Sequence, residues 1–302
     1  MIPPLLLLLA IAFSAAATRP LVIWHGLGDS YASPGMREFV SRIEDIYPGI
    51  FIHSVYINQD VEKDRRATFY GNVNEQIQLV TEQLAAVPQL QNGFDAIGFS
   101  QGGQFLRGYV ERYNQPPVNN LITFGSQHMG ISDLPVCNPY DFLCELARRA
   151  AKSAVYGEWV QKNLVQAQYF RDPGKYETYL SSNHFLTSIN NEAEESRNGT
   201  YVDRLASLNQ LVLVMFTEDK MVVPKESSWF GTESEDGTSD QVVLSETKGT
   251  VPMRRQQLYI EDWIGLRRLD ERGGVVLEEC EGGHMQIGGC WERILRGRVG
   301  GD

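Results

Sequence analysis

Ser100 stands in Gly98-Phe99-Ser100-Gln101-Gly102, between the apolar run FDAIGF (94–99) and the helical pattern QFLRGYVERY. A serine hydroxyl is a weak nucleophile until a base can take its proton and donors can meet the oxyanion that develops on the attacked carbonyl. G-x-S-x-G between a strand and a helix is the spacing of a nucleophile elbow, where the serine occupies a strained turn and flanking glycines relieve the crowding. The bare pattern is common by chance; the strand before it, the helix after it and Gly103 make this occurrence specific.

Behind such an elbow the chain order is serine, acid, histidine, with the histidine in a loop after the last strand. Of His25, His53, His128, His184 and His284, only the last two follow both Ser100 and a plausible acid. His284, in Glu-Gly-Gly-His between the run VVLEE (275–279) and a terminal helical pattern, has the expected position. His184 falls in a region of short helical patterns and reads as a packing or surface residue, and His53 as a satisfied polar group in a strand. The acid belongs just past a late strand: LVLVMF (211–216) runs into Glu218 and Asp219. Asp219 is the preferred partner, to fix the imidazole tautomer, and Glu218 reads as a solvated charge. For the oxyanion, the N–H of Gln101 follows the nucleophile directly. A second donor is expected from the loop after the first strand, where Leu27 lies in His25-Gly26-Leu27-Gly28-Asp29.

These groups must be brought together by a scaffold. Short apolar runs at 20–24, 50–57, 94–99, 121–125, 211–216 and 275–279 suit strands buried on both faces of a parallel sheet. Helical patterns lie between them, at 72–87 and 102–113 for example. The alternation predicts an α/β fold, the α/β-hydrolase arrangement of a mostly parallel central sheet flanked by helices. Residues 131–208 hold no convincing strand and are rich in aromatics (Tyr140, Phe142, Tyr156, Trp159, Tyr169, Phe170, Tyr176, Tyr179 and Phe185). They read as a helical cap inserted within a hydrolase domain spanning 18–302, with most of the aromatics serving only to pack it.

The leader MIPPLLLLLAIAFSAAATRP, apolar from Leu5 to Phe13 and then alanine-rich, reads as a signal peptide over 1–17. Its apolar run is too short for a transmembrane anchor. Export places the chain in an oxidising compartment, where proximity suggests Cys137–Cys144 and Cys280–Cys290 pairs. No metal site is read from the cysteines, and the serine chemistry needs neither metal nor organic cofactor. Asn198-Gly199-Thr200 is a glycosylation sequon. The net charge of −11 argues against a nucleic-acid partner, although near the sequence pI of about 5.0 the repulsion fades. Oligomeric state is not legible; a monomer is the default expectation.

LVIWHGLGDS, GFSQGGQFLRGYVERYN, FGSQHMGISDLP, FTEDKMVVP with SSWFG after it, and the late EGGH together resemble the palmitoyl-protein thioesterases, most closely the lysosomal type. The likeness runs through essentially the whole mature chain. It implies hydrolysis of palmitoyl thioesters on cysteines of S-palmitoylated proteins, in the lysosome, a vacuole or outside the cell. It also implies Ser100 as nucleophile, Asp219 as acid, His284 as base, Leu27 and Gln101 as the oxyanion hole, and a short Cys137–Cys144 disulfide in the cap. Two features depart from the pattern: Tyr31-Ala32 stand where some relatives carry tandem cysteines, and Cys280 and Cys290 lie outside it. If paired, those two brace the histidine loop. A carboxylesterase or lipase on the same fold, or a catalytically silent lipid-binding protein, are the competing readings. A catalytic imidazole near the reference pKa of ~6.5 is mostly protonated at pH 5 and cannot accept the serine proton. The expected kcat/KM profile therefore peaks near neutral and falls on acidification; a plateau reaching down to ~pH 4 contradicts this.

Overall fold

The computed structural model describes residues 18–134, 151–234 and 249–301; the leader and the Cys137 and Cys144 pair lie outside them. Six strands make one parallel sheet in the order β2-β1-β3-β4-β5-β8. These are β1 (Leu21–Trp24), β2 (Ile52–Ser54), β3 (Phe94–Phe99), β4 (Val118–Phe124), β5 (Gln210–Phe216) and β8 (Val275–Cys280). The remaining two, β6 (Thr232–Glu233) and β7 (Thr250–Val251), form a separate antiparallel ribbon.

Alternation along each strand sends side chains to two apolar layers. Leu21, Ile23, Ile97, Phe99, Ile122, Phe124, Val212 and Val214 meet Met36, Phe39 and Ile43 of α1 (Pro34–Ile46) and the terminal helix Trp291–Leu295. Val22, Trp24, Ala96, Leu121, Leu211 and Leu213 meet α3 (Val73–Ala85) and α4 (Gln101–Arg112) on the other side. Local chemistry starts these helices. Ser33 Oγ accepts from Met36 N at 3.1 Å with Pro34 at the first position of α1, and Asp60 caps α2 (Val61–Ala67) through the N–H groups of Glu62 and Lys63. Each interior strand seats its apolar run on both faces. The edge strands do not: β2 is only half-buried and Leu277 of β8 is exposed. An edge strand has a neighbour on one side only, and Glu278 there pairs with Arg293 (2.6 Å) and Arg298 (2.9 Å).

Between β4 and β5 the described residues form no sheet strand. Short helices at Glu158–Asn163, Tyr176–Ser182, Leu186–Ile189 and Thr200–Ala206 alternate with 3₁₀ turns. Polar bonds join this insertion to the sheet domain. Gln168 Oε1 accepts from Val73 N (2.8 Å), and Gln166 Nε2 donates to Thr68 O (2.9 Å). Phe170, Tyr179 and Phe185 are fully buried as packing residues, whereas Trp159 is 66% exposed. Among the described residues no helix is long and apolar enough to cross a membrane.

Arg107, on α4 and wholly buried, bonds Glu111 Oε1 (2.9 Å), Asn190 Oδ1 (2.8 Å), His128 O (2.9 Å) and Ile189 O (3.2 Å), so one guanidinium joins the nucleophile helix to the insertion. Burial pushes the Glu111 carboxyl up to about 7, against the pull of Arg107 and Arg112. A raised pKa means the folded state holds this proton more tightly than the unfolded chain does. The resulting stabilisation is fully present below the unfolded value of 4.5 and is lost as pH rises through about 7. The thermal midpoint should therefore drop between pH 5 and pH 7.5, with Glu111→Gln flattening the slope. An equally steep drop in that variant would show that the pH dependence arises elsewhere.

Candidate active site

Strand β3 ends at Phe99, α4 starts at Gln101, and Ser100 makes the turn alone, at φ 51° and ψ −123°. A non-glycine residue there is strained, and surrounding contacts hold it. Ser100 N donates to Phe124 O at 2.8 Å. The flanking glycines are needed for close approach. A Cβ at Gly98 would sit 2.2 Å from Gly103 Cα, one at Gly102 2.3 Å from Trp24 O, and one at Gly103 2.2 Å from Ser126 Oγ.

The structure brings Ser100, His284 and Asp219 into one chain of contacts. His284 Nε2 lies 3.0 Å from Ser100 Oγ, and its Nδ1 lies 2.6 Å from Asp219 Oδ2. The other carboxylate oxygen accepts from Met221 N (2.8 Å) and Val222 N (3.0 Å), which fixes the acid's orientation. Asp219 is buried while Glu218 is exposed. The acid and histidine loops leave neighbouring strands and are tied to each other: Glu218 N donates to Gly282 O (2.9 Å) and Gly282 N to Thr217 Oγ1 (3.1 Å). The Phe216 ring stands edge-on to the imidazole at 6.0 Å. In this geometry Nε2 can take a proton from the hydroxyl while the carboxylate faces the imidazolium that results.

The loop after β1 comes up beside the serine. A Cβ at Gly26 would be only 3.1 Å from Phe99 O and 3.2 Å from Ser100 Cβ, so glycine is what lets Leu27 reach the cavity wall next to the nucleophile. Gln101 begins α4, its side chain donating to Thr68 O (3.2 Å) and accepting from Tyr169 OH (3.0 Å). Burial pushes the Tyr169 phenol above its ordinary pKa, so it stays a proton donor.

Asp64, on α2 and fully buried, holds both ends of that loop. Oδ2 accepts from Tyr31 N (2.9 Å) and lies 3.0 Å from His25 Nε2, while Oδ1 accepts from Ile57 N (2.7 Å) and Asn58 N (3.2 Å). Burial acts to raise this carboxyl, but His25 and the backbone donors outweigh it and hold it below its ordinary value. Nothing in the sequence around residue 64 points to residue 25; only the fold reveals the pair.

Ser100 and His284 open onto a cavity of about 410 Å³, in the usual range for small-molecule sites. Its walls are mainly apolar: Met36 and Phe39 of α1, Phe99, Ile131, Leu134, Met221, Val222, Met285 and Ile287. Of the cap aromatics within the described residues, Tyr169 alone lines it. Among the described residues the apolar lining thus comes mostly from α1 and the acid and histidine loops, with Ile131, Leu134 and Tyr169 added from the insertion. Methionine's flexible side chain suits such a wall.

The other histidines have different roles. His53 bonds Gln83 Oε1 (2.9 Å), and His184 is exposed. His128 is stacked on Phe230, where burial, aided by Arg107, holds it well below its ordinary pKa. Cys280 and Cys290 are joined as a disulfide, and Asn198 is exposed. Among the described residues no group of three or more His, Cys, Asp or Glu is placed to hold a metal ion.

Comparison with known proteins places the chain. The sequence profile of the family described as palmitoyl protein thioesterase matches residues 20–284. Palmitoyl-protein thioesterase 1 of Caenorhabditis elegans is 41% identical, the alignment covering 94% of each chain. Palmitoyl-protein thioesterase 3 of Dictyostelium discoideum is 36% identical, over 88% of this chain and 86% of that one. The human lysosomal thioesterase PPT2 is 27% identical over 90% and 84%. With the profile spanning most of its length and such relatives covered nearly end to end, the chain belongs to the palmitoyl protein thioesterase family.

Proposed function

We propose that this chain hydrolyses long-chain fatty-acyl thioesters, removing palmitate from S-acylated cysteines of proteins, with Ser100, His284 and Asp219 as its catalytic triad. The observation that carries the reading is the Ser100–His284–Asp219 chain of contacts, at 3.0 and 2.6 Å, on the wall of an apolar cavity. Membership of the family supplies the thioester and the palmitoyl group. Ser100 Oγ attacks the acyl carbon as its proton passes to His284 Nε2. The C–S bond then breaks, and the cysteine sulfur leaves with the proton from the imidazolium. Water, deprotonated by the same imidazole, attacks the acyl-serine; the C–O bond to Ser100 breaks, Oγ regains the proton and the fatty acid is released. A thiol of pKa ~8.5 is a better leaving group than an alkoxide, so this step asks less of the acid. Each CH₂ of the acyl chain taken into the cavity is worth roughly 0.8 kcal/mol.

The N–H groups of Leu27 and Gln101 serve as the oxyanion hole, one on the Gly26 loop and one at the start of α4. Residues 131–208 act as a cap over the site, residues 1–17 direct the chain into the secretory pathway, and Asn198 carries a glycan. The names of its lysosomal relatives support a lysosomal destination, with a vacuole or the extracellular space as alternatives.

The first test uses the mature protein (18–302) on palmitoyl-CoA and a palmitoyl-cysteine peptide, beside a matched oxygen ester and Ser100→Ala. Thioester turnover should exceed ester turnover and fall by about 10⁴-fold or more in the variant. Activity on oxygen esters alone would move the chain to the esterases, and none on any substrate would favour a lipid-binding role. The oxyanion assignment makes its own prediction through Asp64. Whichever way its amide is turned, Asp64→Asn sets an NH₂ against a backbone donor, Tyr31 N or the N–H groups of Ile57 and Asn58, and so loosens the clamp on the Leu27 loop. We expect kcat to fall by about 10- to 100-fold with KM nearly unchanged. Wild-type kcat in a folded Asp64→Asn protein would detach the loop from catalysis.

A further inference from the structure

We infer that the Cys280–Cys290 disulfide is a positioning device for His284: it closes the histidine loop at its base and so keeps the imidazole within reach of Ser100. The inference rests on the reading of His284 as the base.

His284 sits in the loop 281–289, EGGHMQIGG, in which four of nine residues are glycine. The loop leaves the edge strand β8, whose one sheet neighbour is β5. The first half is held by the acid loop through Gly282, as described above. The second half sets Ile287 against the core and turns at Ile287–Gly289, but its last two residues have little around them. Side chains built at Gly288 and Gly289 would meet nothing within 4 Å, and both residues are exposed. Glycine segments have the most conformational freedom to lose, so this stretch needs a tether for its far end.

Cys290 is that far end. Its sulfur is bonded to that of Cys280, the last residue of β8, and the two Cα atoms stand 5.6 Å apart. Both cysteines are buried, at 1% and 6% exposure, in the apolar layer that also contains Phe39, Phe99 and Trp291. The bridge therefore anchors both feet of the loop in the core, and His284 spans the gap between them. A proton acceptor must stay within hydrogen-bonding distance of the hydroxyl, and a displacement of ~1 Å can cost about 10²-fold in rate. Asp219 and the Phe216 ring still hold the imidazole when the bridge is gone, so the expected loss is smaller than that.

The test compares Cys280→Ser/Cys290→Ser with wild type and with His284→Ala, each made as the full chain through a secretory pathway. Measured for each are kcat and KM on palmitoyl-CoA, the rate of Ser100 labelling by a fluorophosphonate, and the melting temperature. The bridge-free variant is expected to lose about 10-fold in kcat and in labelling rate while KM stays within about twofold. A lower melting temperature with wild-type kcat and labelling would mean that the bridge only stabilises the fold, and would overturn the inference. Wild-type activity in His284→Ala would instead overturn the reading of His284 as base. Should the bridge-free variant not fold, the folded wild type is reduced and its free thiols counted by mass. A kcat loss that accompanies the freeing of Cys280 and Cys290, followed by peptide mass in wild type and in Cys137→Ser/Cys144→Ser, and that reverses on reoxidation in both supports the inference; unchanged kcat with the Cys280 and Cys290 thiols free defeats it.

Discussion

At Ser100 the backbone adopts φ 51°, which a serine takes up only when its surroundings over-determine it, at a cost of order 1–3 kcal/mol. The enforcing contacts are close-packing ones. Strand β3, the start of α4, the end of β1 and the loop after β4 approach so nearly that no Cβ fits at Gly98, Gly102 or Gly103. The hydroxyl is thereby raised above the strand ends, at the first turn of a helix. The other parts of the site are arranged around that point, where close packing holds the backbone in place.

His284 and Asp219 reach it from loops on adjacent strands. The register of β5 with β8 brings Phe216 opposite Cys280, so the acid and histidine loops start level and bond to one another before either reaches the serine. Being last in the sheet leaves β8 half-exposed, and polar pairs and a disulfide act there where a central strand would have neighbours on both sides. The loop that carries Leu27 faces a related problem, an irregular glycine-containing segment that must keep one shape. Its solution is a buried carboxylate, Asp64, whose desolvation is offset by several donors.

The insertion and the sheet domain share the binding work unevenly. Arg107 and the glutamines at 166 and 168 hold the insertion against α4 and the segment after α2, and Tyr169 reaches the residue beside the nucleophile. Among the described residues most of the apolar wall, however, comes from the sheet domain: α1 presents Met36 and Phe39, and the histidine loop presents Met285 and Ile287. An acyl chain in this cavity would lie against the same segments that place Ser100, Asp219 and His284.

The sequence alone determined what is encoded locally. Apolar runs marked the sheet strands to within a few residues, because burial of a parallel strand imposes a continuous hydrophobic stretch. The elbow was legible because its glycines are close-packing requirements written at fixed spacing, and the serine–acid–histidine order was the one expected behind such an elbow. Which aromatics would line the cavity was not legible, since Phe170, Tyr179, Phe185 and Tyr169 are equivalent as residue types and differ only in where the folded insertion points them. Nor was Asp64, whose partners at 25, 31 and 57 come from the segments that follow β1 and β2. Such choices belong to the tertiary structure, because burial and hydrogen-bond partnership are properties of long-range neighbours, and no local pattern of residues records who those neighbours will be.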